Sequence, residues 1–230
     1  MKRRNIMIGL GVVAAGAAAG GAWWLKRTPQ DSGMPAVPES ADTAATPAPA
    51  AGDMPLFADD HILGSAEAPV TIIEYASLTC GHCASFHTDT LPEIKTQWIE
   101  PGRARLVMRH YPLDQLALRA AALSECIKGD GFFGFINVLF ANQEKWAHSE
   151  DPLKTVGQYA ALAGLSQDAV AACMSDDATI DRILQRQTDG RDRYAIASTP
   201  SFVVNGTPVV GNRTYEEFNT ILEEAATKAS

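Results

Sequence analysis

Val70-Thr71-Ile72-Ile73-Glu74-Tyr75-Ala76-Ser77-Leu78-Thr79-Cys80-Gly81-His82-Cys83 is the stretch that decides how this chain folds. Val70 to Tyr75 is β-branched and apolar, as a buried strand should be. The residues after Cys83 switch to helical spacing, with Phe86, Thr90, Ile94 and Trp98 on one side. Two thiols therefore sit where a strand gives way to the start of a helix. Unpaired backbone N–H groups and the positive end of the helix dipole meet Cys80 there. Both favour thiolate over thiol, and the thiolate is the attacking species. His82, between the thiols, can add a positive charge or a hydrogen bond. The reading that follows is a redox dithiol that exchanges disulfides with other proteins.

Other uses of a CxxC pair fit less well. A structural zinc site wants a second close pair. The other cysteines, Cys126 and Cys173, stand far apart in the chain. A c-type haem attachment needs His directly after the second Cys, and residue 84 is Ala. A static disulfide across so short a loop gains little chain-entropy stabilisation. No phosphate-binding glycine loop, nucleotide fingerprint or repeat occurs, and no cofactor or metal is expected.

Working outward, Lys2, Arg3 and Arg4 precede an uncharged run from Ile6 to Leu25, closed by Lys26 and Arg27. Twenty residues in a helix match a ~30 Å hydrocarbon core, and Trp23 and Trp24 suit an interface. The Gly/Ala content and the small residues Ala17 to Ala22 equally suit a cleaved signal. Residues 1–27 thus read as a signal peptide or an N-terminal membrane anchor, and both readings stand. The basic residues lie on the N-terminal side, so the rest is expected outside the cytoplasm. Residues 28–54 read as a disordered Pro/Ala-rich tether. Residues 55–230 read as one domain. The chain carries 19 Lys+Arg and 27 Asp+Glu; residues 1–54 hold 5 and 4 of these, leaving 14 and 23 in the domain. That acidic balance argues against nucleic acid or an anionic membrane surface as the main partner.

An even number of cysteines in an oxidising compartment suggests two pairs. The local pair is Cys80–Cys83. Cys126 and Cys173 then form a structural disulfide between two helices, or else stand as two buried free thiols. His61, His87, His110 and His148 read as surface or core residues; His87, four residues after Cys83, can share a helix face with it.

The order of elements is strand, CGHC, helix, strand (Ala104 to Tyr111), a long helical stretch, two strands and a helix. Pro92 should bend the first helix. Asn205-Gly206 marks a hairpin between Ser201–Val204 and Thr207–Val210. Thr214 to Lys228 closes the chain as an amphipathic helix. Such an order makes an α/β fold, a mixed central sheet flanked by helices.

From Leu56 to Ser230 the sequence resembles the thioredoxin superfamily, and within it the DsbA-like thiol–disulfide oxidoreductases of the periplasm. The resemblance is carried by strand-CGHC-helix, by Ser198-Thr199-Pro200 before a hairpin, and by an all-helical insertion at about 114–195. It implies a cis bond before Pro200, with Thr199 pairing its backbone with an extended substrate. It implies that Glu74, beneath the dithiol, relays the Cys83 proton; alternation alone leaves Glu74 free to face either side of the sheet. The partners it implies are unfolded or reduced exported proteins and a quinone-linked oxidase in the membrane. Gly81 stands where strongly oxidising members carry Pro, and Thr199 matches the isomerase and reductase branches. A reductase or isomerase is therefore the alternative, and a thioredoxin-fold holdase or binding module a third reading.

Overall fold

The computed structural model describes residues 55–129 and 131–229. The expected signal or anchor and the tether, residues 1–27 and 28–54, lie outside these. Among the described residues no helix is long and apolar enough to cross a membrane.

Among the described residues, five strands form one sheet: β1 (His61–Leu63), β2 (Val70–Ala76), β3 (Ala104–His110), β4 (Ser201–Val204) and β5 (Thr207–Val210). Their order is β1-β3-β2-β4-β5. β2 and β3 run parallel, joined by the first helix, and the other pairings are antiparallel. Residues of β4 and β5 turn over at Asn205 (φ 44) and Gly206 (φ 85), the left-handed pair that a two-residue hairpin requires.

All seven residues of β2 are buried. Both faces of the sheet are covered, so its sequence shows no polar side. Ile72 and Ala76 join the larger core with Phe86, Phe202 and Phe218. Ile73 and Tyr75 face the other way, against Val107, Tyr194, Ile196 and Val203.

Gly81–Ser85, Phe86–Thr90, Leu91–Ile94 and Lys95–Ile99 follow without a break as one helix, α1. Its turns widen on both sides of Pro92, where the Leu91 N–H bonds the Phe86 carbonyl and the Glu100 N–H that of Lys95. Pro92 has no N–H to give and its ring crowds the carbonyl one turn back, so the helix relaxes into wider turns there. The aromatic rings of Phe86, Phe202 and Phe218 lock α1 onto β4 and the last helix, with centroids 4.6 Å (Phe86–Phe202) and 4.8 Å (Phe202–Phe218) apart.

Among the described residues, six helices lie between β3 and β4: α2 (Gln115–Ser124), α3 (Gly131–Ala141), α4 (Gln143–Ala147), α5 (Pro152–Leu162), α6 (Gln167–Met174) and α7 (Asp177–Tyr194). Asp114, Asp151 and Ser166 cap three of them through side-chain oxygens. α8 (Tyr215–Ala229) closes the chain. The fold is a thioredoxin-type mixed sheet flanked by helices, with a helical insertion. α7 crosses Tyr75 so closely that a Cβ on Gly190 would lie 2.5 Å from the ring, which requires glycine there. Two features went unread in the sequence: β1, only three residues long, and α4, a single turn and a half. The second helix ends at Ser124.

Cys126 and Cys173 are joined by a disulfide with Cα atoms 6.2 Å apart, linking the end of α2 to α6. Nearby, the Glu125 carboxylate lies 3.4 Å from His61, 3.5 Å from His110 and 3.4 Å from Arg182.

Candidate active site

Cys80 and Cys83 are free thiols, Cys80 half-buried and Cys83 fully buried. Cys80 occupies the N-cap of α1 in extended conformation (φ −86, ψ 117). Its position follows from the end of β2: the strand runs out at Ala76, Cys80 N–H bonds the Ser77 carbonyl at 3.0 Å, and the Ala84 N–H returns to the Cys80 carbonyl at 3.1 Å.

The Cys80 thiol is pulled down to about 5. The first cause is the hydrogen bond from the Cys83 thiol; partial burial opposes it. Thr199 and the backbone N–H groups of Cys83 and His82 add to the lowering. The Thr199 hydroxyl is buried with no hydrogen-bond partner among the described residues. Burial pushes the Cys83 thiol far above the ordinary thiol range, and the hydrogen bond to Cys80 and the charge of Glu74 push it further. One sulfur is thus held as a half-exposed nucleophile while its neighbour keeps its proton. His82 reaches the sulfur through its backbone N–H; its ring lies exposed.

Opposite the dithiol, the Thr199–Pro200 peptide bond is cis. Cys80 Sγ lies 3.3 Å from the Thr199 carbonyl oxygen. The loop is held by the Ser201 hydroxyl donating to the Ser198 carbonyl at 2.7 Å and by the Gly211 N–H on the Pro200 carbonyl at 2.9 Å.

Glu74 lies on the face of β2 that carries α1, and it is fully buried. Its two carboxylate oxygens lie 3.2 and 3.0 Å from His87 Nε2. His87 is itself buried, stacks on Phe140 with centroids 4.2 Å apart, and places Nδ1 3.3 Å from Asn137 Oδ1 of α3. The sequence marked His87 only as sharing a helix face with Cys83; the strand carboxylate it meets is what spacing along α1 could not show.

A second unread residue is Gln143 of α4. Its side-chain amide donates to the Leu78 carbonyl at 2.7 Å and the Cys80 carbonyl at 3.1 Å. Asp114, at the cap of α2, accepts from the Thr79 hydroxyl at 2.7 Å. Both tie the helical insertion to the loop that presents Cys80. Cys126 and Cys173 are not part of this site; they lie together at the α2–α6 junction.

Comparison with known proteins agrees with the geometry. The family model described as thioredoxin matches residues 58–224. A provisionally named protein-disulfide oxidoreductase of Rickettsia felis is 30% identical over 169 residues, covering 73% of this chain and 60% of the relative. The chain therefore spans about 60% of the length of the curated relatives it matches first. The crystal structure of Wolbachia pipientis alpha-DsbA1 superposes with a TM-score of 0.71 at 32% identity, covering 76% of this chain and 94% of that one. Bacillus subtilis BdbD shares the fold, with a TM-score of 0.66 at 22% identity over 78% of this chain and 99% of that one. With its dithiol at a helix start, its cis proline opposite and its helical insertion, this chain belongs to the thioredoxin family, in its DsbA-like branch.

Proposed function

We propose that the protein is a thiol–disulfide oxidoreductase that passes its Cys80–Cys83 disulfide to reduced proteins folding outside the cytoplasm. The observation that carries this reading is the split between the two thiols: Cys80 near 5 and half-exposed, Cys83 buried and held protonated.

In the oxidised form, a substrate thiolate attacks Cys80. The Cys80–Cys83 bond breaks, a mixed disulfide forms at Cys80, and Cys83 takes up a proton. A second substrate thiolate then attacks the substrate sulfur of that link. Cys80 leaves as a thiolate, readily because it is acidic. The substrate departs oxidised and the dithiol is reduced. Stabilising the Cys80 thiolate stabilises the reduced form, which makes the disulfide the more oxidising. Thr199, before the cis bond, offers its backbone to an extended substrate segment, strand to strand. Glu74 serves as proton relay for Cys83. The basic residues before the uncharged run 6–25 support export, with that run either removed or kept as a tether. Reoxidation falls to a membrane oxidase coupled to quinone.

The test uses the oxidised full-length chain and a reduced, unfolded protein with two cysteines. Stoichiometric loss of substrate thiols, abolished by Cys80→Ser, is expected. Equilibration with glutathione gives the direction: a potential near or above ~−180 mV accords with protein oxidation, and one near ~−270 mV refutes it in favour of a thioredoxin-like reductant.

A further inference from the structure

His87 is a buried titratable side chain that the exchange chemistry leaves unused, and its surroundings are specific. Nε2 meets both oxygens of Glu74, at 3.2 and 3.0 Å. Nδ1 meets an amide oxygen, Asn137 Oδ1, at 3.3 Å. An amide oxygen only accepts, so Nδ1 carries a hydrogen. A bare Nε2 facing an ionised carboxylate would set two acceptors against each other. One proton must therefore sit between His87 and Glu74. Asn137 is exposed, so the row Glu74, His87, Asn137 begins beside the buried dithiol and ends at solvent. The titratable groups around the ring are few. Glu74 comes from β2, Cys83 stands one turn earlier on α1, and α3 contributes Asn137 and Phe140, neither of which titrates.

We propose that His87, held between Glu74 and Asn137, completes a proton path from Cys83 through Glu74 to bulk water, as the positioning residue that takes on and releases the proton Glu74 receives. The proposal rests on the oxidoreductase reading above and deepens it. When Cys83 closes on a mixed disulfide at Cys80, its S–H bond breaks and the proton passes to the Glu74 carboxylate. The Cys80–Cys83 bond forms, and the departing sulfur keeps the electron pair of the bond that breaks. The pair then returns to one shared proton when the exposed Asn137 side chain swings aside and water takes the proton from His87 Nδ1. Opening of the disulfide runs the same transfer backwards. Asn137 belongs to the helical insertion, so the insertion supplies one end of the path.

The experiment mixes the reduced full-length protein with dithiobis(nitrobenzoate) from pH 4 to pH 9 and follows the coloured nitrothiolate. A first release reports attack by Cys80; a second reports closure by Cys83. His87→Gln is expected to leave the first release unchanged and slow the second by about 100-fold near neutral pH, the low end for a positioned proton transfer. Its second phase should also climb by up to about tenfold per pH unit, because hydroxide must then remove the thiol proton. Asn137→Leu, at an exposed position, tests the path without endangering the fold and should slow the second phase by a smaller factor. Wild-type rates and pH profile in the second phase of both variants would overturn the proton path while leaving the oxidoreductase reading intact. Absence of the first fast release in the wild-type protein would overturn both.

Discussion

Gln143→Leu separates the role of the helical insertion from that of the dithiol itself. Leucine keeps most of the volume but removes the amide that bonds the Leu78 and Cys80 carbonyls at 2.7 and 3.1 Å. The Cys80 carbonyl keeps the Ala84 N–H, so its loss is small. The Leu78 carbonyl is buried with this bond, and leaving such a group unsatisfied costs about 1–3 kcal/mol. A total near 2 kcal/mol corresponds to a fall in Tm of about 4–8 °C for a domain of this size. The assay is thermal unfolding of the reduced chain by circular dichroism, paired with the rate of Cys80 alkylation at pH 6. The loop before the helix should loosen, so alkylation should slow as the thiolate loses its fixed N–H donors. A melting temperature and an alkylation rate both equal to wild type would refute the idea that α4 holds the active-site loop.

Other expectations follow from the same geometry. In the reduced protein, Cys80 titrates near 5 when folded and in the ordinary thiol range when unfolded. Its stabilisation is therefore complete above the unfolded value, still partly present at neutral pH, and lost as pH falls through about 5. Allowing for solvent screening of a half-exposed sulfur, it amounts to about 1–2 kcal/mol at pH 7; urea unfolding at pH 4 and pH 7 should show it in the reduced form and not in Cys80→Ser. Opening the Cys126–Cys173 link with a double Ser variant frees a loop of 47 residues' separation and should cost about 4 kcal/mol on the chain-entropy model, read by denaturant unfolding; stability equal to wild type would contradict it. Arg109→Met leaves the Asp60 carboxylate, which Arg109 meets at 2.8 Å and whose side chain is buried, with Arg186 and the Phe57 N–H to offset it. The loss should be about 3 kcal/mol, and a smaller one than 1 kcal/mol would show that Arg186 compensates.

Much of this fold is legible in local sequence because its signals are local. A β-branched run ending in CGHC, Asn205-Gly206 between two short apolar runs, and Thr199-Pro200 ahead of them each specify backbone geometry within a few residues. What escaped depends on contacts between distant segments. The side of the sheet that Glu74 takes was hidden because helices cover both faces, so Ile73 and Tyr75 are as apolar as Ile72 and Ala76. His87 and Gln143 carry no motif; one meets a carboxylate on a strand, and the other meets backbone carbonyls that no side-chain pattern reveals. His82 illustrates the same limit, since the lowering traced to it at Cys80 is the work of its N–H, which any residue but proline would supply. β1 was missed because three residues are too few to establish alternation.

The most direct measurement is the ionisation of Cys80 in the reduced full-length protein, followed by thiolate absorbance in the ultraviolet from pH 3 to pH 10, with Cys83→Ser as the single-thiol reference. Wild-type absorbance should rise with a midpoint near 5, and in Cys83→Ser it should stay below the ordinary thiol range, because the serine hydroxyl keeps a donor in the place of the Cys83 thiol. A single midpoint in the ordinary range for a free thiol, about 8.5, would contradict the claim that this site holds a nucleophile ready to exchange disulfides.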